Sequence, residues 1–140
     1  MEDYAIIRED PVDPQDAQFL AQQILAFNQA HTGRKDDRQV LFLARDAAGQ
    51  IAGGLIGWTF LDWMAVDYLW VREDLRGQGI GSRLLASAEE LARERGCHSM
   101  QLDTFSFQAP DFYRRHGFEV FGVLDGYAGK HQRIYFRKRL

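Results

Sequence analysis

Leu69-Trp70-Val71-Arg72-Glu73-Asp74-Leu75-Arg76-Gly77-Gln78-Gly79-Ile80-Gly81-Ser82-Arg83-Leu84-Leu85 is the stretch whose reading decides the fold. The aromatic and aliphatic run from Asp67 to Val71 reads as a buried strand. Four residues, Arg72 to Leu75, lead from it into the glycine-rich segment Arg76 to Gly81. Beyond it, Ile80, Leu84, Leu85, Ala88, Leu91 and Ala92 fall on one face at helical spacing. A glycine-rich turn entering a helix leaves several backbone N–H groups unpaired and pointing one way, with the positive end of the helix dipole behind them. Such a turn attracts phosphate, glycines let a ligand come close to the backbone, and Arg76 adds a charge-assisted contact. The stretch predicts a pyrophosphate cradle.

Spacing narrows the ligand. The dinucleotide pattern G-x-G-x-x-G fails in both registers, because Ser82 and Leu84 stand where the third glycine is required. A Walker A loop fails because no Gly-Lys-Ser/Thr follows. The pattern present is Arg-x-x-Gly-x-Gly, at Arg76, Gly79 and Gly81. On these residues, placed after a strand and before an amphipathic helix, the chain resembles the GNAT superfamily of N-acetyltransferases. The resemblance implies that the coenzyme A pyrophosphate lies on this loop, against Arg76, Gly77, Gln78, Gly79, Ile80, Gly81 and Ser82. The competing reading is a glycine-rich turn that only packs helix on sheet.

At 140 residues the chain is long enough for one domain, 1–140, with a real core, and too short for two. With 46% hydrophobic and 26% charged residues the composition is ordinary for a globular protein. A net charge of −3 argues against a nucleic-acid partner, and Arg137-Lys138-Arg139 is too short a basic run to change that. Met1-Glu2-Asp3 is acidic where a signal peptide is basic, and no apolar run approaches ~18 residues, so neither export nor a membrane partner is expected. The single cysteine, Cys97, excludes an internal disulfide and fits a reducing, cytoplasmic setting. Placed after Gly96 and before a strand, it reads as core filler.

Tyr4 to Arg8 reads as a first strand. Asp13 then caps a helix with Pro14 in its first turn and Ala17, Leu20, Ala21, Ile24, Leu25 and Asn28 on one face, ended by His31-Thr32-Gly33. Leu41 to Arg45 and Gln50 to Phe60 form a hairpin, and Gly53, Gly54 and Gly57 in its second arm mark a bulge or a close backbone approach. A tight turn near Leu61-Asp62 leads into a fourth strand, Trp63 to Val71. Gly96 ends the helix after the cradle, and Ser99 to Thr104 is a fifth strand. Pro110 starts a short helix and Gly117 stops it. Glu119 to Leu124 and Gln132 to Arg137 close the chain around Asp125-Gly126 and Gly129. The order predicts an α/β (α+β) fold with a mixed, mostly antiparallel central sheet and helices on both faces. It matches the GNAT fold throughout, which implies six to seven strands splayed between the fourth and fifth.

A second motif, Ala109-x-x-x-Tyr113 followed by Gly117-Phe118, also resembles the family. It implies a helix beside the coenzyme, with Ala109 and Phe112 in contact and the Tyr113 hydroxyl near the thioester sulfur as general acid. The chemistry explains the need: an amine attacking a thioester expels a thiolate that takes up a proton. A phenol with pKa near 10 can donate that proton at neutral pH without itself being ionised. Many relatives have Asn three residues before the alanine; this chain departs from them with Ser106, which still has a hydroxyl to offer the coenzyme. The resemblance also implies that the fourth strand parts from the fifth at a bulge. Backbone groups of Leu69, Trp70 and Val71 then serve the pantetheine arm and polarise the thioester carbonyl.

Asp67 is the candidate base, a carboxylate among Val66, Tyr68 and Trp70 where burial would raise its pKa. The alternatives are that it holds a cationic substrate or makes a structural bond, and His31, His116 and His131 are other bases by residue type. His98 reads as structural. No His/Cys/Asp cluster has metal-ligand spacing, so no metal is expected, and a serine hydrolase is disfavoured without Gly-x-Ser-x-Gly. Trp58, Phe60 and Trp63 are candidates to meet a cationic or flat acceptor, or are core. Short loops and acidic charge favour a small cationic amine. The expected activity is acetyl transfer from acetyl-CoA to a primary amine by direct attack in a ternary complex. The alternatives are a coenzyme-binding or regulatory module without turnover, and an acetyltransferase of protein lysines or N-termini. The aromatic C-terminal strands are compatible with a homodimer.

Overall fold

The computed structural model describes residues 2–140, so Met1 of the acidic start lies outside the described residues. The chain divides into two compact units, Met1–Lys35 and Asp36–Leu140. The first holds helix α1 (Pro14–Thr32). The Asp13 carboxylate accepts the Gln15 N–H at its start, and Gly33, in the left-handed region, closes it by donating its N–H to the Gln29 carbonyl. The expected first strand is absent: residues 4–8 join no ladder, and Ile6 is 97% exposed. Aromatic and β-branched residues favour a strand only where a neighbouring strand pairs with them, and here none does.

The second unit runs β1 (Arg38–Arg45), β2 (Ile51–Phe60), β3 (Trp63–Val71), a 3₁₀ turn at Glu73–Leu75, α2 (Ile80–Glu94), β4 (Ser99–Phe105), α3 (Pro110–Arg115), β5 (Glu119–Tyr127) and β6 (His131–Arg139). The six strands form one open, mixed sheet in the order β1-β2-β3-β4-β6-β5, flanked by helices and antiparallel except where β3 meets β4. Its last hairpin turns at Ala128–Lys130, around the expected Gly129, whereas a register shift between Leu124 and Tyr127 absorbs Asp125-Gly126 into β5. The apolar stripe of α2 buries Leu84, Leu85, Ala88 and Ala92 against Val40, Leu55, Met64, Met100 and Phe136 of the sheet. Cys97 fills the same core.

The sheet is nearly two sheets. β3 and β4 pair in parallel only at Trp63–Ser99, Met64–Met100 and Ala65–Gln101. Beyond that seam β3 stays with β2 and β4 stays with β6. A bulge marks the parting: Ile56 faces Tyr68 and Gly57 faces Val66, which leaves Asp67 as the extra residue of β3. Gly57 is needed there, because a Cβ would run into the Ala65 carbonyl oxygen. Gly57→Ala must push β2 off β3 and is expected to cost about 1–3 kcal/mol in urea unfolding. An unchanged midpoint would show that the two strands do not depend on this approach.

Candidate active site

Hydrogen bonding at the end of β3 fixes which backbone groups face the wedge. The Arg72 N–H donates to the Ala52 carbonyl at 2.8 Å, which makes Ala52–Arg72 a hydrogen-bonded pair. Alternation along an antiparallel ladder then turns the backbone groups of Leu69 and Val71 away from β2, toward the wedge, and those of Trp70 into the sheet. Consistent with this, the Val71 carbonyl accepts the Arg76 Nε–H at 3.0 Å. Arg72 braces the turn that follows, with Nε 2.7 Å from Asp74 and Nη1 3.1 Å from Asp46. The Asp46 carboxyl is held below the usual carboxylate range, first by the Gln50 backbone N–H and then by Arg72. Gly79 takes φ +84°, and its carbonyl accepts the Arg83 N–H, the first backbone bond of α2. The N–H groups of Ile80, Gly81 and Ser82 precede that bond and have no intrahelical acceptor.

Two cavities flank the parting strands. One, of about 660 Å³, lies before the cradle and is lined by Leu69, Trp70, Val71, Arg76, Gly77, Gly79, Ile80, Gly81, Ser82, Ala109 and Phe112 among others. The other, of about 650 Å³, lies between β3 and β4 and includes Asp67, Tyr68, Asp103, Phe105 and Arg133. Leu69, Trp70, Gln108, Ala109 and Tyr113 line both. Tyr113 is buried at this junction, packed against Phe112, Phe118 and Phe136. Burial, and secondarily the charge of Asp103, pushes its phenol up to about 12.

A sequence profile of the acetyltransferase (GNAT) family matches residues 4–118. The chain belongs to this family. The crystal structure of an acetyltransferase from Bacillus cereus is similar with a TM-score of 0.85 at 32% identity, covering 97% of this chain and 98% of that one. An acetyltransferase of Agrobacterium fabrum is 37% identical over 118 residues, 84% of this chain and 86% of the relative. The blasticidin-S acetyltransferase of Streptomyces morookaense is 48% identical over 80 residues, 56% of this chain and 59% of that protein. Together the profile, the relatives and the fold make this GNAT protein an acetyl-CoA-dependent N-acetyltransferase.

The two cavities gather most of the residues expected from the sequence, with several differences. Gln78 and Ser106 do not line the cavity before the glycine-rich turn. Ser106 instead bolts the start of β6: its N–H donates to the Gln132 carbonyl and its Oγ accepts the Gln132 N–H at 3.0 Å. Asp67 is exposed rather than buried, because the bulge turns it out into the second cavity, and it makes no hydrogen bond or ion pair with any described residue. Trp58, Phe60 and Trp63 line neither cavity, and Trp63 packs edge-on against His98 at the closed end of the seam. Tyr68, Trp70, Phe105 and Phe107 supply the aromatic walls instead.

Of the alternative bases, His116 bonds to Ser82, His131 packs on Phe107, and neither lines either of these two cavities. His31 contacts the Phe27 carbonyl within α1. Among the described residues no three His, Cys, Asp or Glu side chains gather as a metal site. Leu75, Phe107, Gln108 and Arg115 are cavity residues that no spacing in the sequence announces. Gln108 pins the turn after β4, its Oε1 accepting from the Phe105 N–H at 2.7 Å and the Thr104 hydroxyl at 3.1 Å.

The raised Tyr113 phenol has a measurable sign. Below pH ~10 the side chain is protonated in folded and unfolded chains alike, and its contribution to stability is complete. Between there and about 12 only the unfolded chain ionises, so stability falls as pH rises. In ultraviolet titration one of the five tyrosines should ionise last, near 12, and Tyr113→Phe should remove that step. Loss of an earlier step would contradict the burial.

Proposed function

We propose that this acetyltransferase acetylates a primary amine of a small molecule by direct attack in a ternary complex. The observation that carries the reading is the junction of the two cavities at Tyr113, with the cradle on one side and the unpaired Asp67 on the other. The name of the Streptomyces relative, which acts on blasticidin S, supports a small-molecule acceptor. The cradle fits coenzyme A: free N–H groups at Ile80–Ser82, Arg76 beside them, and open space before Gly79. Acetyl-CoA supplies the acetyl thioester.

The chain's own residues supply the rest. Leu69 and Val71 offer the backbone groups left free by the parting of the strands, and the Leu69 N–H is the donor that polarises the thioester carbonyl. As the amine nitrogen bonds to the carbonyl carbon and the C–S bond breaks, the Tyr113 Oη–H donates a proton to the departing sulfur. Its high pKa keeps that proton in place at every working pH. The proton released by the amine goes to Asp67, the carboxylate without a partner in the acceptor cavity. Asp103 is engaged by Arg133 at 2.7 Å and serves as a fixed polar wall. The single buried thiol, Cys97, suits a reducing, cytoplasmic setting.

Release of free thiol over a panel of small amines tests the reading. Tyr113→Phe should lower kcat by about 10²-fold while leaving acetyl-CoA affinity within about twofold; an unchanged kcat would remove Tyr113 as the acid. Gly79→Asp places a carboxylate and a strained φ in the cradle, and calorimetry should detect no coenzyme binding by the folded variant. Full affinity would refute the loop assignment. Asp67→Asn should lower kcat by about 10-fold or more with acetyl-CoA affinity unchanged, and an unchanged kcat would take the base role away from Asp67.

A further inference from the structure

Helix α3 carries Tyr113 but spans only Pro110–Arg115, too short to persist without contacts from elsewhere. One such contact crosses to the coenzyme cradle. His116, the residue after α3, is bonded at both ring nitrogens: Nδ1 lies 2.8 Å from the Phe112 carbonyl and Nε2 lies 2.9 Å from Ser82 Oγ. A carbonyl only accepts, so Nδ1 carries the proton. In the neutral ring Nε2 is then the acceptor, and the Ser82 hydroxyl donates to it.

The surroundings hold this bridge in place. The imidazole packs on the Phe112 ring at 4.4 Å between centroids. The His116 carbonyl accepts from Lys138 Nζ at 2.8 Å, and Glu89 of α2 sits 2.6 Å from the same ammonium. Phe112 also presses on the first turn of α2, where a Cβ at Gly81 would meet its ring at 3.4 Å. Both chain neighbours of the Tyr113 segment are thus tied to the turn that faces the coenzyme-side cavity. Ser82 lines that cavity, yet its hydroxyl is engaged by His116 and donates to it when the ring is neutral. The hydroxyl's role toward the coenzyme is therefore indirect, and the phosphate is left to Arg76 and the backbone N–H groups, that of Ser82 included.

We propose that His116 is a positioning residue for acetyl transfer: through Ser82 it sets the Tyr113 helix against the coenzyme cradle. The inference rests on Tyr113 as the general acid. Two variants break the bridge. Ser82→Ala removes the donor, and His116→Asn keeps an amide N–H for the Phe112 carbonyl but no longer reaches Ser82. His116→Gln restores an acceptor where Nε2 stood.

Each is made in the wild-type enzyme and in Tyr113→Phe, and kcat and the KM for acetyl-CoA are read by thiol release. Ser82→Ala and His116→Asn should each lower kcat about tenfold, with KM within about twofold, while His116→Gln retains most of the rate. In the Tyr113→Phe background these losses should vanish, because no hydroxyl is left to position. Losses that multiply with Tyr113→Phe, or no loss in Ser82→Ala, would overturn the proposal. An unchanged kcat for Tyr113→Phe alone would instead remove the general-acid reading beneath it. Should the histidine variants fold poorly, nitrogen-15 NMR of the wild-type enzyme remains decisive: His116 should show the Nδ1–H tautomer, and an Nε2–H tautomer would contradict the bridge.

Discussion

The structure depends on β3 and β4 failing to stay together. Three residues of parallel pairing join a β1-β2-β3 sheet to a β4-β6-β5 sheet, and then the two diverge. The failure is built in. Asp67 is one residue too many for β2 to match, and Gly57 lets β2 follow the distorted strand at close range. Helix α2 packs its apolar stripe on β1 to β4 and so spans the seam. The parting forgoes the ladder hydrogen bonds that a fully paired sheet would make, at a net cost in stability. Arg76 offsets part of that cost by occupying the Val71 carbonyl.

Everything chemical is arranged around that opening. The cradle sits at the end of β3, where the chain leaves the sheet, and α3 follows the end of β4, on the other arm of the wedge. In the proposed reaction, a ligand held on the glycine-rich turn by its phosphates runs along Leu69 and Val71 to Tyr113, and the acceptor enters from the Asp67 side. The two polar groups proposed to handle protons differ in environment. Tyr113 is buried and keeps its proton, whereas Asp67 is exposed and carries no partner. A buried phenol that keeps its proton and an exposed carboxylate lining the same cavity suit a reaction that moves one proton out and another in.

What the sequence reveals here is what is encoded locally. The glycine-rich turn into α2, the apolar stripe of that helix, the Pro110 and Gly117 boundaries and the hairpin glycines are signals read within a few residues of the structure they make, and the structure has them. Contacts between distant residues are not so encoded. Residues 4–8 have strand composition but no partner. Ser106 serves Gln132, 26 positions away, and His116 meets Ser82 across 34. Asp67 reads as buried because its neighbours are apolar; the bulge that turns it outward depends on register with β2. Trp58, Phe60 and Trp63 fall at the closed end of the sheet for the same reason, since only the register shows where the strands part.

The central claim is that amides left free by the parting of β3 and β4 receive the coenzyme. Residue-resolved hydrogen exchange of the wild-type protein, with and without acetyl-CoA, tests it most directly. The account predicts that the Leu69 and Val71 amides exchange readily in the free protein and become protected on binding, while the Trp70 amide is protected throughout. Saturating binding that leaves Leu69 and Val71 as exposed as before would place the thioester elsewhere and contradict the account.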